Sequence, residues 1–343
     1  MSESIQYILI PHDLMHSEFA RILKKIGFSD PKAEKCAEIF TSNSVDGIYT
    51  HGVNRFPRFV SNVKDGFFKP DAEPSLIHSA GSLEQWNGNL GPGPLNAVFA
   101  TERAGELADQ NGIGLVTLAF TNHWMRAGYY GWHAAKRGYV FMAWTNAEAN
   151  MSAWGAVDAR LGNNPFVIAV PYENEAIVLD FAMTQFSYGK MELYKSEDKQ
   201  LPYPGGFDRK GQLTKDPGEI LLSWRALPIG YWKGAGLALL LDILAAVLSG
   251  GRPTAEITKS KKETGAEYGV SQVFFAINPK RLHNYPSIGD TTRQVIDFIH
   301  QSIPENENSS IRYPGENVLT VRKRNLEAGI PVNKKVWSEI TSL

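Results

Sequence analysis

The period at which apolar residues recur changes along this 343-residue chain, and that change limits the folds open to it. Over residues 11–45 the apolar positions Leu14, Phe19, Ile22, Leu23 and Ile26 recur at helical spacing, and Gly27 ends the run. Asp30-Pro31 reads as N-cap and N1 of a second helix, running to about Ser44. Near the other end, residues 291–303 are amphipathic, and the tail from about Asn333 reads as helix. The middle is different. IGLVTLAF (113–120), GYVFMAWTN (138–146), FVIAVPYENEAIVLDFA (166–182) and GVSQVFFAI (269–277) are short apolar runs bounded by turn residues. They read as buried strands, the third run as two strands around Glu173-Asn174. Helices at both ends and strands between them predict an α/β chain whose two termini build one discontinuous helical domain around an inserted sheet. We place residues 1–80 with 285–343 in the helical domain and 81–284 in the sheet domain.

Three further segments complete the reading. Residues 94–112 read as a helix with a Pro start and an Asn-Gly end. Residues 183–233 are rich in Gly, Pro and charge and read as a long irregular, functional loop. Residues 234–250 form a strongly apolar helix, packed centrally or at a subunit contact.

Charge and cysteine usage exclude several classes. Lys+Arg 35 against Asp+Glu 36 gives a net charge of -1, which argues against nucleic acid or an anionic membrane as partner. The longest apolar run, 237–248, holds Asp242 and is too short for a bilayer. The N-terminal MSESIQYILIPHD lacks the basic and apolar regions of a signal peptide. Cys36 is the one cysteine, in the helical string AEKCAEIF, so an intramolecular disulfide or a multi-cysteine metal site is excluded and a reducing, cytoplasmic location is expected.

No standard phosphate loop is present. Gly91-Pro-Gly93-Pro-Leu-Asn96 opens a helix, but Asn96 replaces the small sixth residue of a dinucleotide fingerprint, and Asp109 falls at a helix end. We read it as a turn leading into the helix. Gly234-Ala-Gly236 has Leu239 where a third Gly would stand. Eight histidines occur without an HExxH; His12 and His16 read as surface residues, and His123 and His133 lack nearby carboxylates, so no metal site is assigned.

Four strings carry candidate chemistry. In Thr50-His51-Gly52-Val-Asn54-Arg55, an imidazole beside a glycine could exchange a proton with a carbonyl, and Arg55 could pair with a carboxylate. The plain alternative is a loop histidine bonded to backbone and a surface arginine. Asn122-His123-Trp124-Met125-Arg126 follows a strand, where sites concentrate, or is a packed aromatic corner. Arg160-Leu-Gly162-Asn163-Asn164-Pro165 offers turn amides. The strand 176–182 ends on Asp180, which could hold a cofactor's hydroxyls or amide, or cap a helix.

Taken in order, THGVNRFPRF, NHWMRAGYYGWHAA, RLGNNP, VLDFAMTQFSYGK, LPIGYWKGAGLALLLD and RYPGE resemble the malate/L-lactate dehydrogenase family, which lacks a Rossmann fold. The resemblance spans essentially the whole chain, and Trp124-Met125-Arg126 is similar to its 2,3-diketo-L-gulonate reductase branch. It implies a non-Rossmann NAD(P)-binding fold with a mixed, largely antiparallel sheet. It implies an NADH-dependent homodimer, with NADPH as the alternative cofactor, reducing a small 2-oxo acid. His51 maps onto the family's proton donor and Arg55 onto its carboxylate ligand; Asn122, His123 and Arg126 become further substrate contacts. Cofactor contacts map onto Ala176, Ile177, Val178, Leu179, Asp180, Phe181 and Ala182, onto Trp232 and Lys233, and onto Gly315, Glu316 and Asn317. That last segment departs from the pattern, with Gly-Glu-Asn where Gly, His or Asp, then Glu is expected. A malate, lactate or other 2-hydroxy acid dehydrogenase of the same family is the alternative within the class. A protein that binds NADH without turning it over, and a metal-dependent aldolase or hydrolase, are the alternatives outside it.

Overall fold

The computed structural model describes residues 6–307 and 309–343. The first five residues of the N-terminal stretch, and Asn308 within the C-terminal part of the helical domain, lie outside the described residues. From the N-terminus the elements are β1 (Tyr7–Ile10), α1 (His12–Lys25), α2 (Asp30–Val45), α3 (Phe56–Lys64), β2 (Ser75–Ala80), β3 (Leu83–Asn87), α4 (Gly93–Asn111), β4 (Ile113–Thr121), α5 (Ala127–Lys136), β5 (Val140–Thr145), β6 (Ala149–Ser152) and β7 (Ala159–Gly162). They continue as β8 (Phe166–Tyr172), β9 (Glu175–Phe181), α6 (Tyr188–Ser196), β10 (Gly206–Phe207), β11 (Leu213–Thr214), α7 (Pro217–Ser223), α8 (Trp232–Ser249), α9 (Thr254–Thr264), β12 (Val270–Ile277), α10 (Ile288–His300), α11 (Glu316–Ala328), β13 (Ile330–Asn333) and α12 (Lys334–Thr341).

The apolar runs of the middle become one seven-stranded sheet in the order β2-β3-β4-β12-β5-β8-β9. Only β3–β4 is parallel, so the sheet is mixed and largely antiparallel, as expected. Strand alternation turns Val116 and Leu118 into the core beneath α4 and α5. Thr117 between them faces the other side, where its hydroxyl donates to Leu248 O of α8 at 3.1 Å. The sheet is thus covered on both faces. Helix α4 packs closely because Ala97, Ala100, Ala104 and Ala108 line its buried side.

A second core lies over the helices of the chain ends, where Phe19 of α1, Phe40 of α2 and Phe56 of α3 interlock; Phe19 and Phe56 stack at 4.1 Å. β1 pairs antiparallel with β13, Ile10 opposite Ile330, so both termini meet in this layer. α2 serves both cores: Ile39 belongs to the sheet core and Cys36, Ala37 and Phe40 to the helical one. That double burial explains the absence of a clear polar face along this helix.

Several elements depart from the sequence reading. Ser29, not Asp30, is the N-cap of α2. The stretch 183–233 is ordered into α6, the β10–β11 hairpin and α7. The sequence patterns above do not predict β1, β13, α3, α9 and α11. α8 begins at Trp232, and its 18 residues have the length and mean hydropathy (1.6) of a membrane span. Its small residues Gly234, Ala235, Ala238 and Ala245 face the sheet with Leu241. Asp242 at its centre accepts from Asn146 Nδ2 and Thr254 N, both at 2.9 Å.

The α4–sheet contact depends on Gly114, where an added Cβ would lie 2.0 Å from Ala104 O. Gly114→Ala is therefore expected to lower the stability by about 1–3 kcal/mol, read as a lower urea midpoint at unchanged slope.

Candidate active site

β4 and β5 both run antiparallel to β12, and β9 runs parallel to β5 through β8. The C-terminal ends of β4, β5 and β9 and the N-terminal end of β12 therefore share one end of the sheet. Thr121 pairs with Val270 there, and Thr145 with Gln272. Just beyond those ends lie Asn122-His123, Glu148 and Glu267, with Asp180 at the end of β9.

His51 is brought to the same place by a 3₁₀ turn, Tyr49–His51, after α2. The turn is pinned by Asn43 Nδ2 donating to His51 O at 3.0 Å and by Val53 N–H donating to Ser44 Oγ at 2.9 Å. Gly52 is required: a Cβ there would sit 2.2 Å from Ser44 Oγ. Gly93 plays the same part for the other histidine, since a Cβ would lie 2.2 Å from Asn122 O and 2.3 Å from His123 O.

The two imidazoles stack with centroids 5.7 Å apart and planes within 14°. Met125 N–H donates to His123 Nδ1 at 3.0 Å, so Nε2 of that ring carries the proton when the ring is neutral. Thr50 Oγ1 lies 3.3 Å from His51 Nδ1. Burial lowers the His51 pKa to about 4, with the charges of Arg55 and Arg126 adding to it. Burial, then Arg55, holds His123 well below its ordinary value. Both rings are neutral at neutral pH in the free protein.

Arg55 stands at the start of α3, half-buried. No hydrogen bond or ion pair is found for its guanidinium among the described residues, and burial, then Arg58, lowers its pKa. A desolvated cation without a partner, next to two neutral imidazoles, is a site for a carboxylate.

Two residues expected to touch substrate are engaged elsewhere. Asn122 is fully buried; its amide donates to Leu90 O and Gly91 O at 2.9 Å and accepts from Gly269 N at 3.3 Å. It braces the loop instead of facing the recess. Arg126, 5% exposed, donates to Asp46 Oδ2 at 2.5 Å, and its Nε lies 3.7 Å from Asp180 Oδ2. Arg322 Nε and Nη2 hold the same Asp46 at 2.6 and 3.0 Å. Arg126 is thus a positioning residue rather than a free carboxylate clamp, since its Nη1 is taken by Asp46.

The cofactor positions divide similarly. Ala176 and Val178 turn their side chains into the core, while Leu179 and Asp180 are exposed and Ile177, Phe181 and Ala182 half-buried. Val178 N donates outward to Pro314 O at 3.0 Å, so strand alternation turns the Asp180 N–H to the same open edge. The Asp180 side chain is 25% exposed and accepts from Gly128 N at 2.8 Å. Burial pushes its pKa up, against the Arg126 charge and that N–H. Ile229 N donates to Met183 O at 2.8 Å, which carries Trp232 and Lys233 to this end of β9. Trp232 is 63% exposed; the Lys233 ammonium lies 5.9 Å from its ring centroid, at the N-terminus of α8. An open strand edge, a half-buried carboxylate and a cation at a helix N-terminus fit a dinucleotide. The third segment fits less well. Gly315 (φ +94) lets its backbone close onto Val178 and Trp132, Glu316 accepts from Tyr313 N, and Asn317 accepts from Arg312. These side chains hold their own turn.

Sequence reasoning missed the roles of Asp46, Arg58, Glu148, Glu267 and Arg322. Glu148 and Glu267 had a signal, acidic residues flanking buried strands, but only the strand order brings them together. Among the described residues no three His, Cys, Asp or Glu side chains converge as metal ligands would. Asp46 neutralises two guanidiniums, one fully buried, so Asp46→Asn is expected to cost about 3–5 kcal/mol in urea unfolding.

Residues 10–341 match the malate/L-lactate dehydrogenase family. The 2,3-diketo-L-gulonate reductase of Escherichia coli O127:H6 is 41% identical over 334 residues, which are 97% of this chain and 99% of that protein. The fold is that of the malate dehydrogenase of Entamoeba histolytica, with TM-score 0.93 at 23% identity, covering 98% of this chain and 97% of that one. The malate dehydrogenase of Pyrococcus horikoshii OT3 superposes with TM-score 0.88 at 26% identity over 98% and 95% of the two chains. The chain is accordingly an oxidoreductase for a small 2-oxo or 2-hydroxy acid with a nicotinamide cofactor, and it belongs to the malate/L-lactate dehydrogenase family.

Proposed function

We propose that the protein reduces the C2 carbonyl of 2,3-diketo-L-gulonate to give 3-keto-L-gulonate, with NADH as the preferred reductant over NADPH. The observation that carries this reading is the unpaired Arg55 guanidinium beside the stacked pair His51 and His123. The E. coli relatives bear the corresponding name. The outer edge of β9 and the Trp232-Lys233 corner would hold the cofactor, which when bound supplies the hydride.

The chain's own residues handle the carboxylate and the proton. Arg55 receives the substrate carboxylate. That anion cancels part of the positive charge that depresses the His51 pKa, so His51 takes up a proton as substrate arrives. His51 then donates it to the carbonyl oxygen as negative charge develops there. His123, with its proton on Nε2, donates a hydrogen bond to a neighbouring substrate oxygen.

We propose in addition that the protein works as a homodimer in the cytoplasm. Leu240, Ile243, Leu244 and Val247 of α8 stay exposed, Val247 at 69%, and form an apolar strip that a second copy would cover. Cys36 is buried and lone, which suits a reducing compartment. Sedimentation is expected to give a dimer, and Leu240→Asp with Val247→Asp a monomer; an unshifted dimer would place the contact elsewhere.

The enzymatic reading is tested with His51→Asn. NADH binding should persist while turnover falls about 10²–10⁴-fold. Wild-type kcat/KM for reduction should fall as pH rises, because the acid form is lost above its pKa. The limb in kcat should lie above the free-enzyme value of about 4. Near-wild-type turnover of the variant would remove His51 from this role. A panel of 2-oxo acids ranks the substrate against malate-type and lactate-type compounds, and NADH binding without turnover of any of them would leave a binding protein.

A further inference from the structure

An open cavity of about 450 Å³ lies off the carboxyl ends of β3 and β4, the one parallel pair of the seven-stranded sheet. Its size is that of a small-molecule site. Asn87 ends β3 and Phe120 stands just before the end of β4, so the paired strands deliver both to its lining. Lys69, after α3, and Arg252, after α8, line it as well, together with Asn89 and Leu90 after β3. Among the described residues no carboxylate lines it, and His51, His123 and Arg55 lie outside it.

Arg252 is half-buried, and its guanidinium carbon lies 5.5 Å from the Phe120 ring centroid and 5.4 Å from that of Tyr268. Two aromatic rings thus hold the cation in place. Its Nη1 donates to Ser260 Oγ at 3.3 Å, but among the described residues no ion pair is found for it or for the Lys69 ammonium. Asn87 Oδ1 accepts from Asn89 N at 2.8 Å, which leaves the Asn87 NH₂ to donate. The backbone here is strained. Asn89 (φ +51), Leu90 (φ +56) and Phe120 (φ +52) all stand in the left-handed region, which Leu and Phe rarely adopt. Leu90 N–H donates to Phe120 O and Lys69 N–H to Leu90 O, each at 2.9 Å, so the strained residues are tied to one another and to a cation. Strain of this kind gathers at ligand sites.

We propose that this cavity is a second anion site, apart from the one at Arg55, and that it takes a small dianion: a phosphate monoester or a dicarboxylate. The Arg252 guanidinium offers its remaining N–H donors to the anion's oxygens, Lys69 supplies the second positive charge, and the Asn87 amide adds a neutral donor. A monocarboxylate would leave one of the two cations unmatched.

The test is titration calorimetry of the full chain with glycerol 3-phosphate, succinate and acetate, at an ionic strength held constant with sodium chloride. At least one of the two dianions should bind about tenfold or more tightly than acetate, and the one that does identifies the source of the charge. Its affinity should fall by about tenfold to a hundredfold in Lys69→Gln and in Arg252→Lys, which keeps the charge but loses the guanidinium fork. It should persist in Arg55→Gln. The readout is binding and does not depend on turnover, so it stands apart from the enzymatic reading. Equal affinity for all three anions, affinity unmoved in Lys69→Gln and Arg252→Lys, or loss in Arg55→Gln alone overturns the proposal; the last would place the anion at Arg55. Should Arg252→Lys fail to fold, Lys69→Gln decides, because that side chain is exposed and bears no ion pair among the described residues.

Discussion

Asp46 is buried to 4% exposure and holds two arginines that come from distant parts of the chain. Arg126 opens α5 beneath the sheet, and Arg322 lies on α11 near the C-terminus. One carboxylate thereby ties the helical layer at α2 to the sheet domain and to the returning chain end. Burying such a cluster is costly, and it is held only because every charge in it has a partner. Its consequence for the site is direct. Arg126, fixed by Asp46, sets its charge near both Asp180 and His51. Arg322 also lies over the Trp132 ring at 4.6 Å, and Trp132 packs against Gly315. The proton-donor candidate and the cofactor edge are thus placed by the same buried anion.

The recess beside this cluster is arranged by charge. Its Arg55 guanidinium makes no ion pair among the described residues, and its imidazoles are neutral because they are desolvated among cations. Cations beside neutral imidazoles favour an anion. The arriving carboxylate would change the protonation of His51 without any large movement of the backbone, since Gly52 and Ser44 hold that turn at van der Waals limits.

Much of this was legible in the residues. The long apolar runs of β4, β8, β9 and β12 identify themselves because buried strands need continuous apolar sequence. The string around His51 and Arg55 shows itself through a glycine beside an imidazole. Asn122 and Arg126 were legible as polar residues after a strand, but not the direction in which they are spent: Asn122 on backbone and Arg126 on Asp46. That depends on contacts 80 residues apart, as with Arg126 and Asp46, which no spacing encodes. The same holds for Glu148 and Glu267. Each looks like a surface acid after or before a strand until β12 is inserted between β4 and β5.

That insertion has a wider meaning. β12 occupies the middle of the sheet, yet it is the last of the seven strands to be made. Until it pairs with Thr121 on one side and Thr145 on the other, His123 and Glu148 have no fixed relation, and Glu267 cannot accept from the Glu148 N–H. β13 must likewise return to β1 before Arg322 can reach Asp46. No contiguous piece of the chain contains the site. Long-range pairing of this kind makes folding slow, because loop closure comes before the contacts that reward it. It also means that the site and the fold form together: a half-folded chain would not yet hold Arg55 beside two neutral histidines.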